Sequence, residues 1–165
     1  MFKEFLLLIA LGVSLPPCLS DRIDDLVGGQ WVLRPHLFEE YHVHIRSEES
    51  RMFHFRQEEP DESGHFTFER VSAGSEYFYI RSYKYRSLYM YMSERKDRRI
   101  HISTSEPGFE GQFKPIYTPE GRYRFESRKY VGMHLCTSDV YGNLGGCMLD
   151  GDSPNTLFRL EQKAI

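Results

Sequence analysis

Laid against itself, this chain repeats. Phe68, Phe113 and Phe158 are spaced by 45 residues. After the first two, Tyr77-Phe78-Tyr79-Ile80-Arg81-Ser82-Tyr83-Lys84-Tyr85 aligns with Arg122-Tyr123-Arg124-Phe125-Glu126-Ser127-Arg128-Lys129-Tyr130, and Leu88-Tyr89-Met90 aligns with Met133-His134-Leu135. A shorter copy reads upstream at an offset of 35: Leu33 falls on Phe68, His42 to Ser47 on Tyr77 to Ser82, and Phe53 and Phe55 on Leu88 and Met90. Self-similarity at a fixed period outranks individual strand assignments, because a unit this small cannot bury its own apolar face and the copies must share a core.

The repeated segments have the pattern of hairpins. Val43/Ile45, Phe78/Ile80 and Tyr123/Phe125 alternate with His44, Tyr79 and Arg124, so each first-named pair shares one strand face. Phe53/Phe55, Leu88/Met90 and Met133/Leu135 follow the same logic, and the polar or small residues between the two segments suit tight connections. Further strands are expected at 30–33, 66–71, 99–103, 113–117, 147–149 and 157–161, separated by Gly-, Pro- and charge-rich loops. The sum is an all-β chain folded as a β-trefoil, three repeats of a four-strand unit, in which a closed barrel removes exposed strand edges and hairpins cap one end. A β-sandwich would not produce three aligned copies, and a barrel with an open lumen would not keep its inward positions large and apolar.

The N-terminus reads as a leader. Lys3 precedes an apolar run from Phe5 to Leu15, and Pro16 to Ser20 lead into Asp21-Arg22, so residues 1–20 are expected to be a secretory signal peptide cleaved after Ser20. That leaves residues 21–165 as a single domain, secreted and extracellular, with no transmembrane anchor, since the apolar run is too short to span a bilayer of about 30 Å. A formal net charge of −3 without a basic stripe speaks against nucleic acid as a partner. The two cysteines of the mature chain, Cys136 and Cys147, are expected to form a structural disulfide in an oxidising compartment.

No catalytic constellation is legible: there is no Gly-x-Ser-x-Gly elbow, His-Glu-x-x-His or phosphate loop, and the chain is expected to be neither an enzyme nor a cofactor carrier. His42 and His44 share a strand face that His54 could reach, but outward histidines without a metal are the expectation. Arg95, Lys96, Arg98 and Arg99, with Arg128 and Lys129, form basic clusters that could hold a sulfated glycosaminoglycan by point charges. Tyr77, Tyr79, Tyr83, Tyr85, Tyr89 and Tyr91 bracket one hairpin between inward residues. An outward tyrosine row of this kind would supply apolar area with polar tips for a protein partner.

Phe125-Glu126-Ser127-Arg128-Lys129-Tyr130-Val131-Gly132-Met133-His134-Leu135-Cys136-Thr137-Ser138 resembles the C-terminal signature of the interleukin-1 family, and Thr156-Leu157-Phe158-Arg159-Leu160 resembles that family's last strand. The resemblance covers Arg124 to Leu160 and implies a β-trefoil that binds an extracellular protein receptor. The function expected on this reading is a cytokine-like or growth-factor-like ligand, agonist or antagonist. A secreted carbohydrate- or glycosaminoglycan-binding trefoil is the alternative, weakened by the lack of a Gln-x-Trp motif around Gln30 and Trp31.

Overall fold

The computed structural model describes residues 19–94, 98–137, 144–148 and 153–163. Its strands are β1 (Trp31–Pro35), β2 (His42–His44), β3 (His54–Arg56), β4 (Phe66–Arg70), β5 (Phe78–Ser82), β6 (Tyr89–Met92), β7 (Ile100–Ser103), β8 (Gln112–Tyr117), β9 (Tyr123–Ser127), β10 (Met133–Thr137), β11 (Leu144–Met148) and β12 (Phe158–Gln162). Antiparallel pairing runs β1–β4–β5–β8–β9–β12 and returns from β12 to β1, closing a six-stranded barrel. The pairs β2–β3, β6–β7 and β10–β11 are three hairpins. This is a β-trefoil.

The alternation seen in the sequence explains the core. Leu33, Phe66, Phe68, Phe78, Ile80, Phe113, Phe125 and Phe158 are fully buried in the barrel, and Val43, Phe53, Leu88, Met90 and Leu135 bring the hairpins onto the same cluster. Phe68 and Phe125 stack with ring centroids 5.6 Å apart. Aromatic side chains of this size dominate core energetics.

The pairing corrects the repeat in its first copy. Leu33, Ile80 and Phe125 occupy the same barrel position, opposite Leu160, Phe68 and Pro115. Leu33 therefore belongs with Ile80 and not with Phe68, and β2 is the counterpart of β6 and β10 rather than of β5. An offset of 35 laid a cap strand on a barrel strand, and both carry the same two-residue alternation, so the faces still agreed. His134 is in consequence the counterpart of His42, not of His54. Between the second and third copies the alignment holds for β5 and β9. The connection 71–77 is longer than 118–122, which shifts β4 against β8 by an even step and leaves inward residues inward.

Shared turn chemistry accounts for the rest of the repeat. The buried Ser82 and Ser127 hydroxyls accept from the backbone N–H of Tyr85 (3.1 Å) and Tyr130 (3.2 Å), fixing the β5–β6 and β9–β10 turns alike. Glu126 Oε1 accepts from Gly132 N–H at 3.0 Å, and Gly132 sits at φ +81°, a left-handed conformation natural to glycine. In the segment resembling the interleukin-1 signature, Phe125 and Leu135 are therefore core, Ser127 a turn cap and Glu126 a turn brace. Those are requirements of the fold.

A six-residue helix, α1 (Leu19–Asp24), and the turn after it approach the barrel from the N-terminal side; Leu26 is buried, and its carbonyl accepts from Trp31 Nε1–H at 3.0 Å. The expected leader falls largely outside the described residues, and α1 crosses the expected cleavage point at Ser20. Among the described residues no helix is long and apolar enough to cross a membrane.

Candidate functional site

With the repeat correctly registered, one position on the three cap hairpins stands out. In each hairpin two residues lie diagonally across the strands on the same face: His44 and Arg56, Tyr91 and Ser103, Cys136 and Cys147. The third copy closes this position with the Cys136–Cys147 disulfide, its Cα atoms 6.0 Å apart, as the cysteine count led one to expect. The first two copies leave it open as clefts of about 380 and 330 Å³.

The second-copy cleft joins an aromatic wall to a polar rim. Tyr91 and Ile102 form its inner side, and Arg51, Ser103, Thr104, Glu106 and Glu110 surround them. Glu106 Oε1 accepts from the Tyr79 hydroxyl at 3.1 Å, while Glu110 accepts from Gly108 N–H through Oε1 at 3.2 Å and holds Oε2 3.8 Å from Lys129 Nζ. The rim loop is held by a close backbone approach: a Cβ on Gly111 would fall 2.0 Å from Pro107 Cγ. The carboxylates are thus set on a braced loop before any ligand arrives.

The first-copy cleft is cationic. His44, Arg46, Phe55, Arg56, Asp61, Ser63 and Lys84 line it. Beside it His42, His44 and His54 form a ladder with successive ring centroids 5.9 Å apart. The expectation of outward histidines fails here: His42 is 1% and His44 7% exposed, because the 62–64 turn covers that face of β2, and a Cβ on Gly64 would come within 2.7 Å of the His42 ring. Burial, then the charges of His44, Arg34 and Arg56, push His42 down to about 4. Burial foremost, then neighbouring cations, lowers His44 and His54 as well. Among the described residues no group of three or more His, Cys, Asp or Glu is arranged to hold a metal.

A third concavity, about 490 Å³, lies where Trp31, Tyr117 and Tyr123 meet the N-terminal segment. Two of its polar tips are occupied: Tyr123 donates to the Arg22 carbonyl at 3.2 Å and Trp31 to that of Leu26. Burial pushes the Tyr123 phenol up to about 12.

The tyrosine row is not the open surface the alternation suggested. Tyr79 is 7% exposed, since the loop leading into β8 covers it: Gln112 Nε2 donates to its hydroxyl at 2.8 Å. Tyr89 meets Tyr79 edge-on, Tyr85 packs on the core, Tyr83 lies against His65, and Arg128 lies 4.8 Å over the Tyr77 ring. Tyr91 alone of the six lines a cleft described here. The basic clusters are likewise engaged. Arg128 sits between Tyr77 and Phe109, Lys129 pairs with Glu94 and Glu110, Arg98 lies 3.9 Å over Tyr130, and Arg99 also has a partner. Arg95 and Lys96 lie outside the described residues. Arg46, Arg51, Arg56, Lys84, Glu106 and Glu110 were not singled out from sequence; registering His44 with Tyr91 and Cys136 is the signal that would have found them.

Neither a protein-family model nor a curated protein matches the sequence. Solved structures do. A GlcNAcα1-4Gal-releasing endo-β-galactosidase from Clostridium perfringens aligns with a TM-score of 0.71 at 12% identity over 83% of this chain and 33% of its own. The designed threefold-symmetric protein ThreeFoil aligns at 0.67 and 12% over 80% of this chain and 97% of its own, and the BEL β-trefoil at 0.66 and 13% over 92% and 98%. The chain thus spans a third of the endo-β-galactosidase but nearly all of the two trefoils. At these identities the likeness is one of fold.

Proposed function

We propose that this chain is a secreted, non-catalytic carbohydrate-binding β-trefoil whose second-copy cleft receives a sugar ring. The observation that carries the reading is the juxtaposition of Tyr91 with two braced carboxylates, a guanidinium and hydroxyls in one concavity. A pyranose presents C–H groups on its faces and hydroxyls around its edge. The first suit an aromatic face, and the second donate to Glu106 and Glu110 and accept from Arg51. Receptor recognition through the tyrosine row loses support from the burial of Tyr79. A receptor-ectodomain reading draws instead on Val131, 81% exposed, and Met148, 60% exposed, whose Cε reaches the neighbourhood of Gly132 in the same hairpin.

A glycan array probed with the full secreted chain, followed by calorimetry on the hits, tests the proposal. Tyr91→Ala and Glu106→Gln should each weaken a hit by about tenfold or more, a loss in the range for a central aromatic or charge-assisted contact. Glycan binding that survives Tyr91→Ala unchanged, or an array without hits, overturns it. An ectodomain captured by the wild type and lost with Val131→Asp would favour the second reading.

A further inference from the structure

We propose that the first-copy cleft is an oxyanion site, built to hold a sulfate or phosphate group either free or carried on a saccharide. Arg46 follows β2, Arg56 ends β3, and Lys84 reaches in from the β5–β6 turn of the next copy, so three elements deliver cations to one concavity. Several cations elsewhere are matched by a carboxylate: Arg34 with Glu161, Arg81 with Glu69, Lys114 with Glu76, Arg122 with Glu39. In the cleft the matching is incomplete. Arg56 pairs with Glu58 and lies 3.7 Å from Asp61, whereas Arg46 and Lys84 have no carboxylate at ion-pair distance among the described residues.

The one carboxylate in the cleft is also committed. Asp61 Oδ1 accepts from Ser63 N–H at 2.9 Å and from the Ser63 hydroxyl, capping the 62–64 turn. These hydrogen bonds first, and then the charges of Lys84 and Arg56, hold its carboxyl below the usual range, so it stays ionised and in place. The net charge left to a ligand is positive.

A second, independent observation points to an occupant. His44 lines the cleft at 7% exposure, and its Nδ1 is buried with no hydrogen-bond partner. A buried polar nitrogen left unpaired is costly, and in the tautomer that protonates Nδ1 it donates to a bound oxygen. Guanidinium and ammonium groups arranged around such a donor match a tetrahedral oxyanion, with Arg46 and Arg56 able to present paired N–H groups and Lys84 a point charge. About 380 Å³ admits the anion together with an attached ring. The proposal does not rest on the second-copy cleft, which is acidic at its rim and suits a neutral sugar.

The test titrates the full chain, at constant ionic strength, with sodium sulfate, sodium phosphate, a sulfated disaccharide and its unsulfated parent, followed by NMR of the amide and histidine resonances. Saturable shifts at His44, Arg46, Ser63 and Lys84 are expected. Saturation by the inorganic ions identifies the anion alone as sufficient; saturation only by the sulfated disaccharide identifies a carried group, and either supports the site. The double variant Arg46→Gln/Lys84→Gln changes two exposed side chains and should keep its melting temperature while losing affinity by about tenfold or more. No saturable shift with any anion up to about 50 mM, or an equal response from the double variant, overturns the proposal. Binding of the unsulfated parent at Tyr91 with no anion response would leave the carbohydrate reading standing and remove this one.

Discussion

Acid should loosen this fold well before its carboxylates titrate, and His42 is the reason. The imidazole is fully buried against Gly64 with both ring nitrogens unpartnered, and its folded-state pKa lies at about 4, against 6.5 for the free side chain. Because the folded value is the lower one, the unfolded chain binds the proton more readily between those two pH values. The stability contributed by keeping His42 neutral is present in full above about pH 6.5, drains away as pH falls towards about 4, and changes no further below that. A separation of this size corresponds to a loss on the order of 3 kcal/mol, a large part of a small domain's total of 5–15 kcal/mol. His44, His54, His65 and His134, all lowered chiefly by burial, act in the same direction as pH falls below about 6.5. Urea denaturation at pH 7.5, 6.5, 5.5 and 4.5 should show a falling midpoint, and the dependence should be shallower by close to one proton in His42→Gln. Histidine NMR should place the His42 titration near 4. A His42 that titrates near 6.5, or a midpoint unchanged between pH 7.5 and 5, would refute the reasoning.

Replacing Cys136 and Cys147 together by serine removes a cross-link with a sequence separation of 11 and should cost about 3 kcal/mol in urea denaturation, by the loop-entropy estimate; an unchanged midpoint would show that the bridge is not formed. Gly64→Ala places a methyl group 2.7 Å from the His42 ring and should cost about 1–3 kcal/mol, measurable as a lowered melting temperature. Tyr79→Phe deletes the hydroxyl that bridges Gln112 and Glu106, with an expected loss of about 1–2 kcal/mol in the same assay and a slackened second-copy rim. A fully neutral Tyr79→Phe would mean that the loop over β5 is held by other contacts.

Much of the architecture was legible because the side-chain period of a strand is two and the turn caps recur. Phe78/Ile80 and Tyr123/Phe125 announce inward faces, and Ser82 and Ser127 announce equivalent turns, without knowledge of any partner strand. The first copy was misaligned for the same reason: β2 and β5 carry the same alternation, and nothing local tells a cap strand from a barrel strand. Tyr79 departs from the open row for a different reason. Tyr79 does point away from the barrel core, but the loop carrying Glu106 and Gln112, between β7 and β8 of the same repeat, folds back and buries it.

The chain's local chemistry by itself determined that twelve short strands, in repeated units, would share one aromatic core, since apolar period and turn residues act over a few positions. Tertiary structure alone decided what two of the three hairpins do with one equivalent position, a cationic cleft at His44 and an aromatic and acidic one at Tyr91, where the third carries the Cys136 disulfide that the cysteine count already implied. Those differences depend on how the loop after each hairpin folds back over it and on side chains such as Arg51 and Lys84 that reach in from a neighbouring repeat.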